Sequence, residues 1–565
     1  MRRTAIWGLP CLLAMVLVSC ADDPIDVTTF NRDVAPILWE HCAGCHQPQG
    51  SAPFSLVTYD DAQKRARQIV QVTESRFMPP WLPEPGHGSF AGARRLTDDE
   101  IGVFGDWLND GELEGQRADR REPPPPTEGW QLGQPDLVVQ LPQPYELAAE
   151  GVDVYRNFVI RMPRGGVRWV EAVEFRPLNL RVTHHARLLI DRDGRSRQID
   201  ADDPLPGFAG MEIGGATTPD GSLIGWTPGR VPHPGHPGMA WRLDDTTDLV
   251  LQLHLVPTGR PESVDATVGL YFADEAPTLH PVAFVLGSRD IDIAAGDSQF
   301  VVEDDYELPV DVQLLAIYPH AHYLGKTMQL EASFPNGTSE SLLRISDWDF
   351  NWQDEYHYAD PVALPRGTTL SMRYTYDNTS SNPRNPHEPP RRVVYGSRTF
   401  DEMAELMVQV LPATLDDHRA LQRHRTDNLM RKAIDYRLRR LERNADDVAS
   451  LAALGSTYLS MDMPADAIDP LRRAVRLQPT DVRLQNNLGY ALRQLGRDQE
   501  AVIHLEKAVG LSPDNAGMRF TLAETLLALD RVDEAIVHYE RIVELRPDIA
   551  SAREALARAR ARQGR

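Results

Sequence analysis

The spacing of apolar residues divides the chain into regions of different secondary structure. Over residues 30–111 apolar positions recur at helical intervals, which predicts a small helical unit. Over residues 129–412 short runs of strand-like residues, some strictly alternating between apolar and polar, are separated by Gly, Pro, Asp and Asn, a pattern typical of strands and turns. Residues 413–445 are charged and return to helical spacing, which predicts a connecting helix.

The β region divides near Asp274–Pro281 into two halves, 129–275 and 276–412. Each half has the size of one β-sandwich domain. Residues 112–128, just before it, are polar and rich in proline, which predicts a semi-rigid extended linker. A chain of 565 residues is too long for one hydrophobic core, so several domains are expected.

A repeat of 34 residues occupies the C-terminal region, 446–565. Leucine, alanine and proline each recur at this interval, at Leu454, Leu488 and Leu522, at Ala467, Ala501 and Ala535, and at Pro479, Pro513 and Pro547. This period and residue choice resemble tetratricopeptide repeats. The resemblance implies an α-solenoid of three helix pairs with a capping helix over 549–562, which docks a peptide or protein partner. A stabilising or dimerising appendage is the alternative.

The N-terminus has the pattern of a targeting segment. Arg2 and Arg3 precede an apolar run, Ala5–Val18, that is too short to span a membrane. The segment 1–20 resembles a bacterial lipoprotein signal peptide, with Cys20 as the lipidated first residue of the mature protein. The resemblance implies an exported protein, in the periplasm or at the cell surface, that meets the membrane only through its lipid. An ordinary secretory signal with an incidental cysteine is the alternative.

Charge and cysteine content narrow the possible functions. The chain carries 59 Lys and Arg against 82 Asp and Glu, and a net charge of -23 argues against a nucleic-acid binder. Of the four cysteines, Cys11 is lost with the signal and Cys20 takes the lipid. Cys42 and Cys45 belong to a separate motif, described next, so no cysteine remains for a disulfide framework.

The run Cys42-Ala43-Gly44-Cys45-His46 is the C-x-x-C-H signature of covalent c-type haem attachment. Two thiols at i and i+3 reach the haem vinyl groups, and the next imidazole binds the iron. A thioredoxin-like redox pair and a zinc site are the alternatives. A thioredoxin-like pair requires a βαβ unit, which the surrounding sequence does not predict, and a zinc site requires two more ligands. Met78, in a proline-flanked loop, is the expected sixth ligand; His87 is its rival, and a core methionine the plain alternative. The unit resembles a class I cytochrome c.

Several histidines in the β region have the spacing of metal ligands. His320 and His322 stand at i and i+2 on a predicted strand, so both side chains project from one face. The adjacent pair His184 and His185 can bind one ion only at a bend or bulge. His254 lies in an alternating strand, where a core histidine bonded to a carbonyl is the plain alternative. Imidazole suits copper, zinc, iron and nickel, so the histidines alone do not identify the metal.

Four stretches resemble the copper type II, ascorbate-dependent monooxygenases, the family of peptidylglycine α-hydroxylating and dopamine β-monooxygenases. They are Thr183-His184-His185, Leu251-Gln252-Leu253-His254, His320-Ala321-His322-Tyr323-Leu324-Gly325-Lys326 and Asp401-Glu402-Met403. The resemblance implies two jelly-roll-like domains facing each other across an open cleft. It assigns an electron-transferring copper to His184, His185 and His254. It assigns the copper where oxygen and substrate meet to His320, His322 and Met403.

The chain departs from this family in ways that bear on the substrate. The animal enzymes have disulfides in these domains. The peptide-amidating enzymes hold a substrate carboxylate with an arginine and a tyrosine, at positions that correspond to Tyr318 and Met407 here. A glycine-extended peptide is therefore not expected, and a pocket formed by Tyr318, Tyr323 and Met407 favours an aromatic or apolar substrate. His233, His236 and His387 are expected on loop surfaces. For His233 and His236, whose loop resembles one near the first copper, a role as spare ligands is the alternative.

Together these features predict an exported, lipid-anchored copper monooxygenase that hydroxylates a C–H bond with O2. Its cofactors would be two copper ions and haem c, and its reductant would be the haem, ascorbate or another one-electron donor. A zinc or iron site on the same histidines is disfavoured by the methionine, because a thioether favours Cu(I). A non-catalytic electron-transfer or scaffold lipoprotein that acts through its repeats is the alternative.

Overall fold

A computed structural model describes residues 27–48, 50, 52–123, 129–211, 213–219, 221–222 and 224–564. The predicted signal peptide, including Cys20, and part of the predicted linker lie outside these residues. The chain separates into two compact units. The described parts of the first unit are 27–81, 92–135 and 228–232, and the second contains the rest. Within the described residues, no helix combines the length and apolar character needed to cross a membrane.

The first unit is helical. A π-helical turn, Phe30–Val34, leads into α1 (Ala35–His41), and α2 (Tyr59–Gln63), α3 (Ala66–Glu74) and α4 (Asp98–Asn109) follow. Phe104 and Trp107 of α4 pack in the core with Phe30 and Leu38. Thr97, followed by Glu100 three positions later, predicts a capping box at the start of a helix. The structure confirms it, because Thr97 caps α4 and Glu100 closes the box.

One segment within the predicted domain 30–111 belongs to the second unit. Residues 82–91 pair there with strands of the β region, through a bridge between Phe90 and Tyr358 and a hydrogen bond from the Glu84 N–H to the Arg344 carbonyl at 2.8 Å. The helical unit is therefore interrupted in sequence, which apolar spacing alone did not indicate.

The middle of the chain is all-β and antiparallel, as predicted. The strands of its first half are β1 (Leu137–Gln140), β2 (Tyr145–Leu147), β3 (Val154–Arg161), β4 (Arg168–Pro177), β5 (Thr183–Asp191), β6 (Phe208–Ala209), β7 (Gly225–Trp226), β8 (Trp241–Leu243), β9 (Asp248–Leu255), β10 (Glu262–Val264) and β11 (Ala266–Ala273). A short helix, α5 (Arg195–Asp202), follows β5.

The second half has its own sheets. Its strands are β12 (Val282–Gly287), β13 (Asp292–Ile293), β14 (Phe300–Glu307), β15 (Val312–His320), β16 (Gly325–Ser333), β17 (Ser339–Ile345), β18 (Tyr356–Leu364), β19 (Thr369–Tyr376), β20 (Val393–Val394) and β21 (Glu405–Pro412). Among the described strands, none of one half joins a sheet of the other. We call the two halves the first and the second β domain.

The two halves have the same strand connectivity. The main sheets of the first are β1-β11-β4-β8 and β3-β9-β5-β7, the latter extended by β6. Those of the second are β12-β21-β15-β18 and β14-β19-β16-β17. If the short strands β2, β6, β10, β13 and β20 are left out, each domain has eight strands, which can be renumbered 1 to 8 in chain order. Both domains then have the order 1-8-3-6 in one sheet and 2-7-4-5 in the other. This is the double Greek-key order of a jelly roll.

A long helix, α6 (Leu415–Arg443), follows the β region and confirms the predicted connecting helix. It lies on the second β domain, where Arg425 donates to the Ala283 carbonyl at 2.6 Å and Leu421 is fully buried. Arg439 and Arg443 both pair with Asp290.

Seven further helices form the predicted repeats. They are α7 (Val448–Ser460), α8 (Pro464–Leu477), α9 (Val482–Gln494), α10 (Asp498–Leu511), α11 (Ala516–Ala528), α12 (Val532–Leu545) and the capping helix α13 (Ala550–Gln563). The recurring alanines, Leu488 and Leu522 lie in one continuous core that runs through the stack, and Leu454 is also buried. At Gly489 the helices approach so closely that an added Cβ would lie 2.6 Å from Leu505 Cγ.

This close approach predicts that Gly489→Ala destabilises the repeats. Overpacking lowers the free energy of unfolding by about 1–3 kcal/mol. The better helix propensity of alanine offsets about 1 kcal/mol of this loss. Gly510→Ala is the matched control, because Gly510 lies in α10 with no atom within 4 Å of its added Cβ, and it should stabilise by about 0.5–1 kcal/mol. Urea unfolding followed by far-UV circular dichroism measures both; equal shifts for the two variants would contradict the packing.

Candidate metal centres

The structure brings His184, His185 and His254 together. His184 and His185 lie on β5 and His254 on the neighbouring β9, with His185 directly opposite His254 in the register. The register of β5 shifts between Thr183 and His185, so a bulge lies at His184. The expectation that adjacent histidines need a bulge to face one site is confirmed.

The three rings meet through their Nδ1 atoms. His185 Nδ1 lies 3.3 Å from His184 Nδ1 and 3.2 Å from His254 Nδ1. Two nitrogens bound to one ion at about 2.0 Å with tetrahedral angles would lie about 3.3 Å apart. This donor set therefore fits one metal ion. We name these residues the first histidine group.

A carboxylate fixes which nitrogen of His254 is free. Asp153 Oδ2 lies 3.1 Å from His254 Nε2, so Nε2–H donates to the carboxylate and the Nδ1 lone pair faces the other two rings. Burial lowers the pKa of His184 to about 4 and that of His185 well below its usual value, and in both cases the neighbouring His254 adds to the shift. Neutral imidazoles are the form that binds metal.

His320 and His322 form a second histidine group at the end of β15. Their rings lie 5.2 Å apart between centroids and are nearly perpendicular. His320 Nδ1 lies 2.7 Å from Gln353 Oε1, and His322 Nδ1 lies 3.0 Å from the Asp401 carbonyl oxygen. Both Nδ1–H groups are thus engaged, which leaves the two Nε2 lone pairs for a metal.

A buried carboxylate holds the Met403 segment beside this pair. Glu402 accepts hydrogen bonds from the backbone N–H of His322, of Leu324 (3.0 Å) and of Met403 (2.9 Å). Burial raises the pKa of Glu402 to about 8, against the lowering effect of these donors. Tyr376 also donates to the Met403 carbonyl at 2.8 Å. The Met403 backbone is therefore fixed beside His322, and the buried thioether is a suitable third ligand.

An aromatic ring lies between the two groups. Phe350 stacks on His184 with centroids 5.3 Å apart and contacts His322 edge-on at 5.5 Å. Tyr323 packs on the same ring at 4.9 Å. The expectation of an open cleft between the domains was wrong at this point, since a phenyl ring from the second β domain reaches the histidines of the first.

The residues expected around the substrate lie near the second histidine group. Tyr318 on β15 faces Met407 on β21 in the register, and its ring is nearly parallel to that of His320. The Tyr318 hydroxyl donates to Gln353 Oε1 at 3.1 Å. Gln353 therefore joins the expected pocket to the imidazole, and its Nε2 is buried with no hydrogen-bond partner among the described residues.

The haem motif lies just after α1. The N–H groups of Cys45 and His46 both donate to the Cys42 carbonyl, at 3.1 and 2.8 Å, so the motif forms one tight turn. His46 Nδ1 lies 3.0 Å from the Phe54 carbonyl oxygen, which leaves Nε2 free for an iron. Burial, together with the neighbouring Cys45, raises the pKa of the Cys42 thiol to about 12. Two reduced thiols and an oriented imidazole fit a c-type haem.

The two candidates for the sixth iron ligand lie in different units. Met78 lines a small pocket with Thr73, Leu96 and Ile101 in the first unit. His87 belongs to the second unit, where its Nδ1 lies 2.8 Å from Ser341 Oγ. Met78 thus belongs to the same unit as Cys42, Cys45 and His46.

A third group of histidines was not expected. The ligand atoms of His233, His236 and His357 all lie within 4.8 Å of one another. The expectation that His233 and His236 lie on a loop surface was wrong, because both are half-buried against a ring from β18. His387 is also buried rather than exposed, with its Nδ1 2.8 Å from Arg391 Nη2.

Sequence patterns missed several residues that organise these groups. Asp153, Phe350 and Gln353 lie in no motif and at no informative spacing, so no signal in a single sequence indicated them. Glu402 was adjacent to a candidate ligand, but its three hydrogen bonds to backbone depend on the packing of β15 against β21.

Comparison with known proteins supports the C-terminal repeats. Two family models, both described as tetratricopeptide repeat, match residues 452–516 and 492–562. A search of curated proteins finds no match to this chain.

Solved structures give matches to single parts of the chain. A crystal structure of MamA is 27% identical, covers 25% of this chain and 83% of its own, and has a TM-score of 0.24. YrrB, described as a TPR protein with an unusual peptide-binding site, is 22% identical over 26% of this chain and 76% of its own, with a TM-score of 0.24. The first TPR of Spaghetti (RPAP3), bound to an HSP90 peptide, is 23% identical over 21% of this chain and 94% of its own, with a TM-score of 0.20.

The partners of the two histidine groups predict separable effects on metal binding. Asp153→Ala should weaken copper binding at the first group and Gln353→Ala at the second, each by roughly 10–100-fold. Each variant is the matched control for the other. Copper titration followed by isothermal calorimetry measures both affinities; a variant that weakens both sites equally would contradict separate roles.

The buried histidines also predict how the stability of the metal-free protein depends on pH. The folded-state pKa is about 4 for His320 and about 3 for His322, chiefly because of burial, and both lie below the unfolded value of about 6.5. The unfolded chain therefore binds more protons between these values, so stability is full above about pH 6.5 and falls as the pH drops toward 4. Urea unfolding at pH 7 and 4.5 measures the loss. The double variant His320→Gln and His322→Gln should lose less; an equal loss would contradict the burial effect.

Proposed function

We propose that the β region is a two-centre copper monooxygenase that inserts one oxygen atom into a C–H bond of an aromatic or apolar substrate. The main support for the proposal is that two neighbouring histidine groups offer different ring nitrogens to a metal. The first offers three Nδ1 atoms, and the second offers two Nε2 atoms beside a buried thioether. Three imidazoles suit an electron-transferring copper, and a thioether favours Cu(I).

The reaction balances with two electrons and two protons from outside the β region. Substrate C–H, O2, two electrons and two protons give C–OH and water. Bound copper would supply one-electron redox chemistry and the activation of O2. The electrons would come from a haem that Cys42, Cys45, His46 and Met78 would hold, or from ascorbate or another small reductant.

The protein's own residues orient and shield the site. Asp153, Gln353 and the Asp401 carbonyl fix the ring nitrogens, so that no ligand must reorient when an ion binds. Phe350 fills space between the two groups and keeps water from it. Tyr318 and Met407 offer an aromatic and an apolar surface, without the charged group that a carboxylate substrate would need.

The other regions would decide where the enzyme is located and which partner it binds. The repeats would dock a protein or peptide partner, which their family matches and the peptide-binding descriptions of YrrB and RPAP3 support. The lipoprotein-like segment would tether the mature chain to a bacterial membrane from outside the cytoplasm. The haem and copper domains would then act in one exported polypeptide.

Oxygen uptake tests the proposal. The full chain, loaded with copper and haem and supplied with ascorbate, should consume O2 in the presence of a metabolite pool and add one oxygen atom to one component, read by mass spectrometry. Replacing His185 and His254, or His320 and His322, by alanine should each reduce this uptake by roughly 100-fold or more. His280→Ala, a half-buried histidine outside the three groups, is the control.

The haem's role is tested separately. Cys42→Ala with Cys45→Ala should abolish fast reduction of copper by an electron-donor protein, while leaving ascorbate-driven turnover intact. Equal copper reduction with and without these cysteines would remove the haem from the reaction.

The family matches to the repeats favour a second candidate, a haem and copper scaffold that acts only through its partners. That protein would bind about two coppers and show no substrate-dependent O2 uptake. The oxygen measurement therefore decides between the two.

A further inference from the structure

The third histidine group joins the two β domains. His233 and His236 come from the connection between β7 and β8 in the first domain, and His357 comes from β18 in the second. The rings of His233 and His357 stack at 4.1 Å, and His236 lies 4.9 Å from His233. None of these residues belongs to the first or second histidine group.

The loop that carries His233 and His236 has a shape that brings them together. Gly235 lies between them with φ of +84°, in the left-handed region that favours glycine. An added Cβ there would lie 2.3 Å from the Glu171 carbonyl oxygen on β4, so the loop is packed tightly on the first β domain. Pro232, Pro234 and Pro237 restrict the same loop.

Three ring nitrogens of this group are buried without a hydrogen-bond partner. They are His236 Nε2, His357 Nδ1 and His357 Nε2, counted over the part of the chain that the structure describes. A buried polar atom without a partner is costly, and a metal ion is one of the few ligands that relieves several such nitrogens together.

A buried carboxylate lies beside His357. Glu355 Oε1 is 2.7 Å from His357 Nε2, and the Glu355 side chain is 3% exposed. The two atoms do not have the geometry of a hydrogen bond, but a carboxylate this close would attract a cation bound to the ring.

We infer that His233, His236 and His357 bind one Zn²⁺ ion beside the Glu355 carboxylate, and that this ion fastens the two β domains to each other. Three imidazoles can form a zinc site in which water is the fourth ligand, and Zn²⁺ suits a structural role because it has no redox chemistry. Both described cysteines, Cys42 and Cys45, lie outside the β region, so an ion takes the place that disulfides occupy in other exported proteins.

Binding requires a local adjustment that can be measured. The Gly235 N–H donates to His233 Nδ1 at 3.0 Å, and that hydrogen bond places the ring proton on Nε2. Whichever nitrogen of His233 binds the ion, this hydrogen bond must lengthen or break. Zinc should therefore speed hydrogen exchange at the Gly235 amide while it slows exchange elsewhere in the loop.

Zinc content of the full chain tests the inference. After chelation, reloading with Zn²⁺ alone and dialysis, the variant His236→Ala with His357→Ala should retain one zinc fewer than the wild type, measured by plasma mass spectrometry. His185→Ala with His254→Ala should lose a different zinc, so the combined variant should lose two. His280→Ala is the matched control and should lose none.

Thermal stability supplies a second test of the zinc site. Zinc should raise the melting temperature of the wild type more than that of the His236 and His357 variant, since only a folded site binds the ion. If the double variant does not fold, His357→Gln should weaken zinc binding by roughly 10–100-fold. An unchanged zinc count in the folded double variant, or a Gly235 amide that does not respond to zinc, overturns the inference.

Discussion

The two histidine groups share one constraint: the hydrogen bond at one ring nitrogen of a buried imidazole decides which nitrogen is left to bind a metal. An uncharged ring has one N–H and one lone pair, and the partner of the N–H decides where the lone pair points. At His254 an aspartate takes Nε2, so Nδ1 is free; at His320 and His322 an amide oxygen and a carbonyl take Nδ1, so Nε2 is free. The same residue type thus gives two different sites.

Burial reinforces this arrangement. Removal from water lowers the pKa values of His184, His320 and His322 to between about 3 and 4, which keeps their lone pairs available at neutral pH. The same burial raises the pKa of Glu402, and the three backbone donors around it compensate for the loss of water. Its hydrogen bonds tie together two chain segments that sequence separates by about eighty residues.

The two β domains share a strand order but use it differently. In the first, the histidines lie on β5 and β9, in the 2-7-4-5 sheet; in the second, they end β15, and Met403 precedes β21, in the 1-8-3-6 sheet. The two domains have equivalent folds, but the histidine groups that face each other lie on sheets that are not equivalent. Phe350 and the Asp153–Thr399 hydrogen bond of 2.8 Å lie between them, so the relation of the two groups depends on how the domains pack.

Features that rest on local or periodic interactions followed from the sequence. The 34-residue repeat, the capping box of α4 and the connecting helix each depend on residues a few positions apart, or on one pattern repeated. The haem-type turn and the alternation of the β strands belong to the same class, because helix periodicity and strand alternation are properties of the backbone itself.

Only the tertiary structure decided which distant residues meet. His357 joins His233 and His236, Asp153 reaches His254, Gln353 reaches His320, and residues 82–91 leave the helical unit, all across long sequence separations. A histidine, an aspartate or a glutamine in a loop has the same local pattern whether it faces water or a ring nitrogen. Its partner is set by the docking of whole sheets, which depends on the summed burial of many side chains and leaves no trace at any one position.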